Sequence, residues 1–182
     1  MKQTNSCTPL AIFVVLMLLT NPSFAQSTEG IERTGDVLQI AIPLTAYGMT
    51  YLSDDAQGRR SFSNTFFSTM GTTYALKYSF PDERPDGGNL SFISGHTSVA
   101  FSGATFIQRR YGWKYGIPAY LGAAFVGWSR VESGKHYTDD VLRGAALGIL
   151  SAYVFTKPYK GTLRIAPFVE DRPVGVAFQG SW

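Results

Sequence analysis

The longest unbroken apolar run in the chain is Leu10 to Leu19, ten residues (LAIFVVLMLL) lying close behind the N-terminus. A helix needs about 20 such residues to cross roughly 30 Å of hydrocarbon, so this run is too short to span a membrane. Its flanks give it another meaning. Lys2 and the amino terminus supply a positive start, and Asn21 and Pro22 break the run. Ser23-Phe24-Ala25 then sets small residues at the two positions a signal peptidase reads. Residues 1–25 are expected to be a cleaved export signal, with the working domain at 26–182. The single cysteine, Cys7, precedes the run, so this is no lipoprotein signal, and the exported part carries no disulfide. The expected location is periplasmic, with peripheral contact to a membrane left open.

No later segment reaches twenty apolar residues, so the rest must bury its apolar positions by packing helix on helix. The expected fold is all-α, a bundle of about five core helices. Mixed three- and four-residue spacing predicts a first helix from Asp36 to about Leu52, after a loose leader from Gln26 to Arg33. Pro43 is expected to bend that helix or mark its true start. Ser53 to Arg60 reads as a charged turn. Ser61 to Tyr78 reads as a second helix, with Phe62, Phe66, Phe67, Met70, Tyr74 and Leu76 as its larger apolar members. Pro81 to Asn89 (PDERPDGGN) is a loop, and Thr97–Gln108 and Pro118–Trp128 are the third and fourth helices. The fifth, Asp139–Phe155, is capped by Thr138 and carries Asp139 and Asp140 where the helix dipole favours them. Gly144 and Gly148 on that helix suit either association of membrane spans or an ordinary close crossing. In the tail, Leu163 and Ile165, a turn at Glu170–Pro173 and a return at Val174–Phe178 predict a short β-hairpin.

A formal charge of +3 on 182 residues, with no long basic run, gives no reason to expect a nucleic-acid partner. Two histidines are present, His96 and His136, each inside a polar, glycine-containing patch. His96 ends Ser94-Gly95-His96 just before the third helix, where unpaired amides attract anions. Asp140 follows His136 by four residues and is placed to accept the Nδ1 proton, leaving Nε2 as nucleophile or base. Asp139 is the competing partner. Arg130, Lys77 and Arg84-Pro85 add fixed positive charge. Together these describe a pocket for a multiply charged oxyanion, and the two histidines alone are too few for a zinc site.

Lys77 with Arg84-Pro85, Ser94-Gly95-His96, and Ser129-Arg130 with His136 and Asp140 resemble the three-part signature of the type 2 phosphatidic acid phosphatase and vanadium haloperoxidase superfamily. One departure is Ile93, where the family usually has proline. The resemblance implies a helical bundle and a phosphatase. In it His136 attacks phosphorus and becomes a phosphohistidine, Asp140 holds it, and His96 protonates the leaving oxygen. Lys77, Arg84, Ser94, Gly95 and Arg130 bind the phosphoryl oxygens. It implies no metal and no other cofactor, because three cations supply the charge that Mg²⁺ supplies elsewhere. The partner is a phosphate-ester substrate, either a lipid phosphate or a small soluble ester. Phe62, Phe66, Phe67, Tyr111, Trp113 and Tyr115 serve either as core or as an apolar mouth for an acyl chain. A vanadate-dependent haloperoxidase and a non-catalytic phosphate-binding envelope protein remain as alternatives.

Overall fold

The computed structural model describes residues 27–161, 164–170 and 172–179. The export signal expected at 1–25 lies outside them. Five helices follow in order: α1 (Thr28–Leu52), α2 (Ala56–Ser79), α3 (Gly95–Tyr111), α4 (Trp113–Glu132) and α5 (Thr138–Phe155). The tail forms the expected antiparallel hairpin, β1 (Arg164–Glu170) with β2 (Arg172–Gln179), pairing Ile165 with Phe178.

Local chemistry sets the helix limits, and it corrects several expected boundaries. Helix α1 starts eight residues before Asp36, because Ser27 Oγ accepts the Gly30 N–H at 3.0 Å and caps the segment read as a leader. It runs unbroken through Pro43, which is not its start. Asp55 caps α2 by accepting from Gly58 N at 2.8 Å, which pulls residues 56–60 out of the expected turn into helix. Gly112, at φ +93°, ends α3, and α4 begins directly at Trp113 rather than Pro118. At α5 the cap is Tyr137, not Thr138, and Asp140 Oδ2 accepts the Tyr137 N–H at 3.1 Å.

Helix α3 is the central element, and each of the other four packs on it. Its closest neighbour is α5. A Cβ at Gly144 would stand 2.6 Å from the Ser94 carbonyl oxygen, and one at Gly148 would stand 2.4 Å from that of Ser98. The Gly144/Gly148 pair is therefore an intramolecular crossing of α5 on α3.

The inner face of α2 is largely polar. Phe62, Thr65, Thr69, Thr73 and Lys77 point inward, while Phe67 and Tyr74 stand on the surface. Threonine hydroxyls are tolerated inside because each finds a partner. Thr69 Oγ1 donates to Thr65 O at 2.7 Å, and Thr73 Oγ1 meets Ser98 Oγ at 3.0 Å. The outer faces carry large apolar side chains instead: Leu44, Phe67, Leu121, Leu150 and Val154 are each more than 60% exposed. Even so, no helix among the described residues is long and apolar enough to cross a membrane.

Phe62 and Phe106, 5.2 Å apart and edge-on, anchor the core, with Phe66, Tyr111 and Tyr115 packed against it. Along α3, Phe106 lies about 16 Å and Tyr111 about 24 Å from the helix start at Gly95, so these rings sit toward its C-terminal end. That distance removes them as a mouth for the His96 end. At this far end Arg110 donates to both Asp55 oxygens at 2.5–2.6 Å, and both side chains are nearly fully buried. Breaking a buried pair strands its other half, at about 3–5 kcal/mol. Asp55→Ala is expected to lower unfolding free energy by about that much in urea titration. A loss under about 1 kcal/mol, the level of an exposed pair, would contradict this reading.

Candidate active site

The site lies where the N-termini of α3 and α5 meet the C-termini of α2 and α4. The loop 80–94 turns back toward them. Arg84 N donates to Gly88 O at 2.7 Å, and Gly87, at φ +81°, donates to Arg84 O at 3.0 Å. Leu90 adopts φ +65°, unusual for a residue with a Cβ, and its carbonyl receives Lys77 Nζ at 2.6 Å. The loop is thereby fastened to the end of α2.

His136 is buried, and its Nδ1 lies 3.1 Å from Asp140 Oδ2. An ionised carboxylate can only accept, so Nδ1 carries the proton of the neutral ring and Nε2 has a free lone pair. The same Asp140 oxygen accepts from Tyr137 N and from the buried hydroxyl of Ser91, while Arg143 reaches Oδ1 at 3.4 Å. Asp139, the competing candidate, is exposed and pairs only loosely with Arg143 at 3.8 Å. Burial pushes the His136 pKa down to about 4, against the Asp140 bond, and Lys77 and Arg84 push it the same way. The ring is neutral at ordinary pH.

Lys77 is 7% exposed, and burial with the neighbouring Arg84 charge lowers its pKa to about 8. Arg84 Nε is buried with no hydrogen-bond partner among the described residues. Two cations held together with an unused donor form a site that an anion would complete. Arg130 is buried and fixed at all three nitrogens: Nε to Ser129 Oγ at 3.2 Å, Nη1 to Asp36 Oδ1 at 2.9 Å, and Nη2 to Glu32 O at 2.7 Å. Its carbonyl receives the His136 N–H at 3.1 Å, which ties the end of α4 to the nucleophile candidate.

Ser94 caps α3, its Oγ accepting from Thr97 Oγ1 at 3.0 Å, and its N–H donates to Asp140 O at 2.9 Å. Gly95 opens the helix. A Cβ there would make only ordinary contacts, with Thr73 at 3.7 Å and Lys77 at 3.9 Å. Its usefulness is thus its first-turn N–H rather than its lack of a side chain. His96 is about one-third exposed, with Nε2 3.2 Å from Asp36 Oδ1. Burial lowers its pKa, and Arg130 lowers it further against the pull of Asp36.

The catalytic and phosphate-binding candidates picked from the sequence therefore fall at one end of the bundle, with His136 and Ser94 joined through Asp140, and His96 and Arg130 joined through Asp36. Three further residues enter that sequence reading did not assign: Asp36, Ser91 and Arg143. Asp36 had no local motif to mark it, being one acid on an otherwise apolar stretch. Ile93, the departure from the family pattern, is buried at 1% exposure and fills core space before the turn. Among the described residues no group of three or more His, Cys, Asp or Glu gathers as a metal ion would require.

Comparison with known proteins agrees with the fold and the family resemblance. The family model described as the PAP2 superfamily matches residues 62–162, which contain the signature from Lys77 to Asp140. A lipid A 4'-phosphatase of Helicobacter pylori is 31% identical over 165 residues, covering 82% of this chain and 83% of that protein. A lipid A 1-phosphatase of Porphyromonas gingivalis is 45% identical over 84 residues, 44% of this chain but 19% of that longer protein. Among solved structures, LpxE of Aquifex aeolicus superposes with a TM-score of 0.63 at 18% identity, covering 85% of this chain and 98% of that one. The similarity in that case is one of fold. On the family match and the full-length relative, the chain belongs to the PAP2 superfamily and is a phosphatase.

Proposed function

We propose that this PAP2 phosphatase is a metal-independent phosphomonoesterase of the cell envelope that removes phosphate from lipid phosphates through a phosphohistidine. The observation that carries it is the neutral, buried His136, with Nε2 free, beside Lys77 and Arg84 and bonded through its backbone N–H to the Arg130 carbonyl. Phosphoryl transfer needs little beyond a nucleophile, an acid and charge neutralisation. Nε2 of His136 bonds to phosphorus as the P–O bond to the leaving group breaks, and His96 gives that oxygen its proton. Asp140 stabilises the cationic ring that results. Lys77, Arg84 and Arg130, with Ser94 and the Gly95 amide, hold the phosphoryl oxygens. Water then attacks phosphorus, giving a proton to His96, and releases phosphate and His136.

The lipid reading rests on the surface around the site. Tyr78 and Phe80 at the end of α2, Trp128 on α4, and Tyr137 and Leu142 at the start of α5 are all exposed there. Amphipathic rings around a polar pocket suit the boundary between acyl chains and headgroups. The lipid A phosphatases among the relatives point the same way. Peripheral contact with a membrane and a periplasmic site belong to this proposal, as does the cleaved signal at 1–25. The haloperoxidase and binding-protein alternatives gain no support from these relatives.

His136→Ala is expected to abolish phosphate release, by at least about 10³-fold, from both an aryl phosphate and a detergent-dispersed lipid phosphate. EDTA should leave the wild type active and vanadate should inhibit it. Full activity in His136→Ala, or EDTA inactivation reversed by Mg²⁺ or Zn²⁺, would overturn the mechanism. The pH profile of kcat/KM follows from the two shifts. Activity is expected to fall below about pH 4 as His136 gains a proton. On the alkaline side it should fall already below neutrality as His96 loses its own, because its pKa lies under the usual imidazole value. A maximum above pH 8 would contradict these assignments.

A further inference from the structure

The carboxylate of Asp36 lies outside the family signature, yet one of its oxygens touches two members of the site. Oδ1 is 3.2 Å from His96 Nε2 and 2.9 Å from Arg130 Nη1. The first helix is built for this approach. A Cβ at Gly35 would stand 2.1 Å from Ser129 Oγ and 2.7 Å from Arg130 Nη2, so the glycine lets α1 press against the end of α4. One turn earlier, Glu32 O takes Arg130 Nη2 at 2.7 Å. The early cap at Ser27 is what makes these first turns of α1 helical.

We propose that Asp36 is a positioning residue for the acid step, taking the Nε2–H of His96 so that Nδ1 serves the leaving oxygen, and holding Arg130 in the same grip. This rests on the acid role given to His96 above. The groups acting on His96 are Asp36 on α1, Arg130 on α4 and Arg84 on the loop, and of these only Asp36 favours the imidazolium. With the carboxylate present, the charged ring offers Nδ1–H to the leaving oxygen as the P–O bond breaks. It is left neutral as the Nε2–H tautomer, still bonded to Asp36. In the second step the Nδ1 lone pair accepts a proton from the attacking water. A single carboxylate thus fixes the ring for both directions of proton transfer, as Asp140 does for His136 at the opposite nitrogen.

The test uses leaving groups of different basicity. An aryl phosphate with an acidic phenol needs little help from an acid, whereas an alkyl phosphate needs much. In Asp36→Asn, kcat/KM, which reports the step that breaks the P–O bond, is expected to fall about 10-fold or more on dodecyl phosphate relative to its fall on p-nitrophenyl phosphate. The alkaline limb of the profile should move to lower pH. KM should rise on both esters alike, because Arg130 is loosened. Equal kcat/KM losses on both esters with an unmoved pH limb would reduce Asp36 to a structural support and overturn the proposal. Tighter vanadate binding with raised kcat/KM would also overturn it, making the carboxylate a competitor of substrate. His96→Ala tests the underlying reading separately: if it does not hit the alkyl ester harder, the acid assignment itself fails. A readout on the unmodified protein covers the case in which Asp36→Asn does not fold. With two histidines in the chain, ¹⁵N-histidine spectra give two ring systems, sorted by His136→Ala. Neutral His96 is expected as the Nε2–H tautomer, and a predominant Nδ1–H tautomer would overturn the proposal.

Discussion

The site exists because the backbones of α3 and α5 touch. Gly144 and Gly148 leave no room for a Cβ against the carbonyls of Ser94 and Ser98, and the Ser94 N–H reaches the Asp140 carbonyl at 2.9 Å. That contact sets the first turn of α3, with its unpaired amides, beside the first turn of α5, with its carboxylate. His136, just ahead of α5, and His96, just inside α3, are brought to one end of the bundle by the same crossing. A side chain at either glycine would separate the helices and take the two histidines apart together.

The remaining pieces are held by capping and ion-pair chemistry rather than by apolar packing. The loop carrying Arg84 is tied down through the Leu90 carbonyl on Lys77 and the Ser91 hydroxyl on Asp140. Arg130 is held by three bonds to α4 and α1. At this end of the bundle the buried Arg84 Nε has no partner among the described residues, and it lies next to a lysine whose burial already lowers its pKa. Excess positive charge with an unused donor is costly until an anion arrives, which is the condition a phosphate site requires. Along α2 the inward positions are mostly small and polar, and several large apolar side chains lie on the outside of the bundle. Threonines 65, 69 and 73 pack against α3 and α5 while Phe67, Leu121 and Val154 face out.

Much of this was legible in the sequence, because the catalytic signature is local. Serine, glycine and histidine ahead of one helix, and histidine four residues before an aspartate at another, depend on spacing within a turn or two. The all-α class and the tail hairpin were legible for the same reason. The starts of α1, α2 and α4 were not. Ser27 and Asp55 cap their helices from segments whose composition reads as loop, and Asp55 is fixed by Arg110, 55 residues away. The inner face of α2 was not legible, because its inward positions are largely threonines, while of its large apolar side chains Phe67 and Tyr74 face outward. Of the two readings open for the six rings, core holds for Phe62, Phe66, Tyr111 and Tyr115, while Phe67 and Trp113 are exposed; ring content alone carries no information on which end of a bundle the rings occupy. Asp36 was invisible because its meaning lies in contacts to His96 and Arg130, 60 and 94 positions along the chain.

The central claim, that His136 carries the phosphoryl group between two steps, is tested most directly by trapping it. The protein from Gln26 to Trp182 would be mixed briefly with a ³²P-labelled phosphate ester, quenched in alkali and digested. Label is expected on the peptide containing His136, stable to base and lost in acid, and absent from His136→Ala. Rapid turnover of substrate with no label on that peptide, when the quench is faster than the second step, would contradict it.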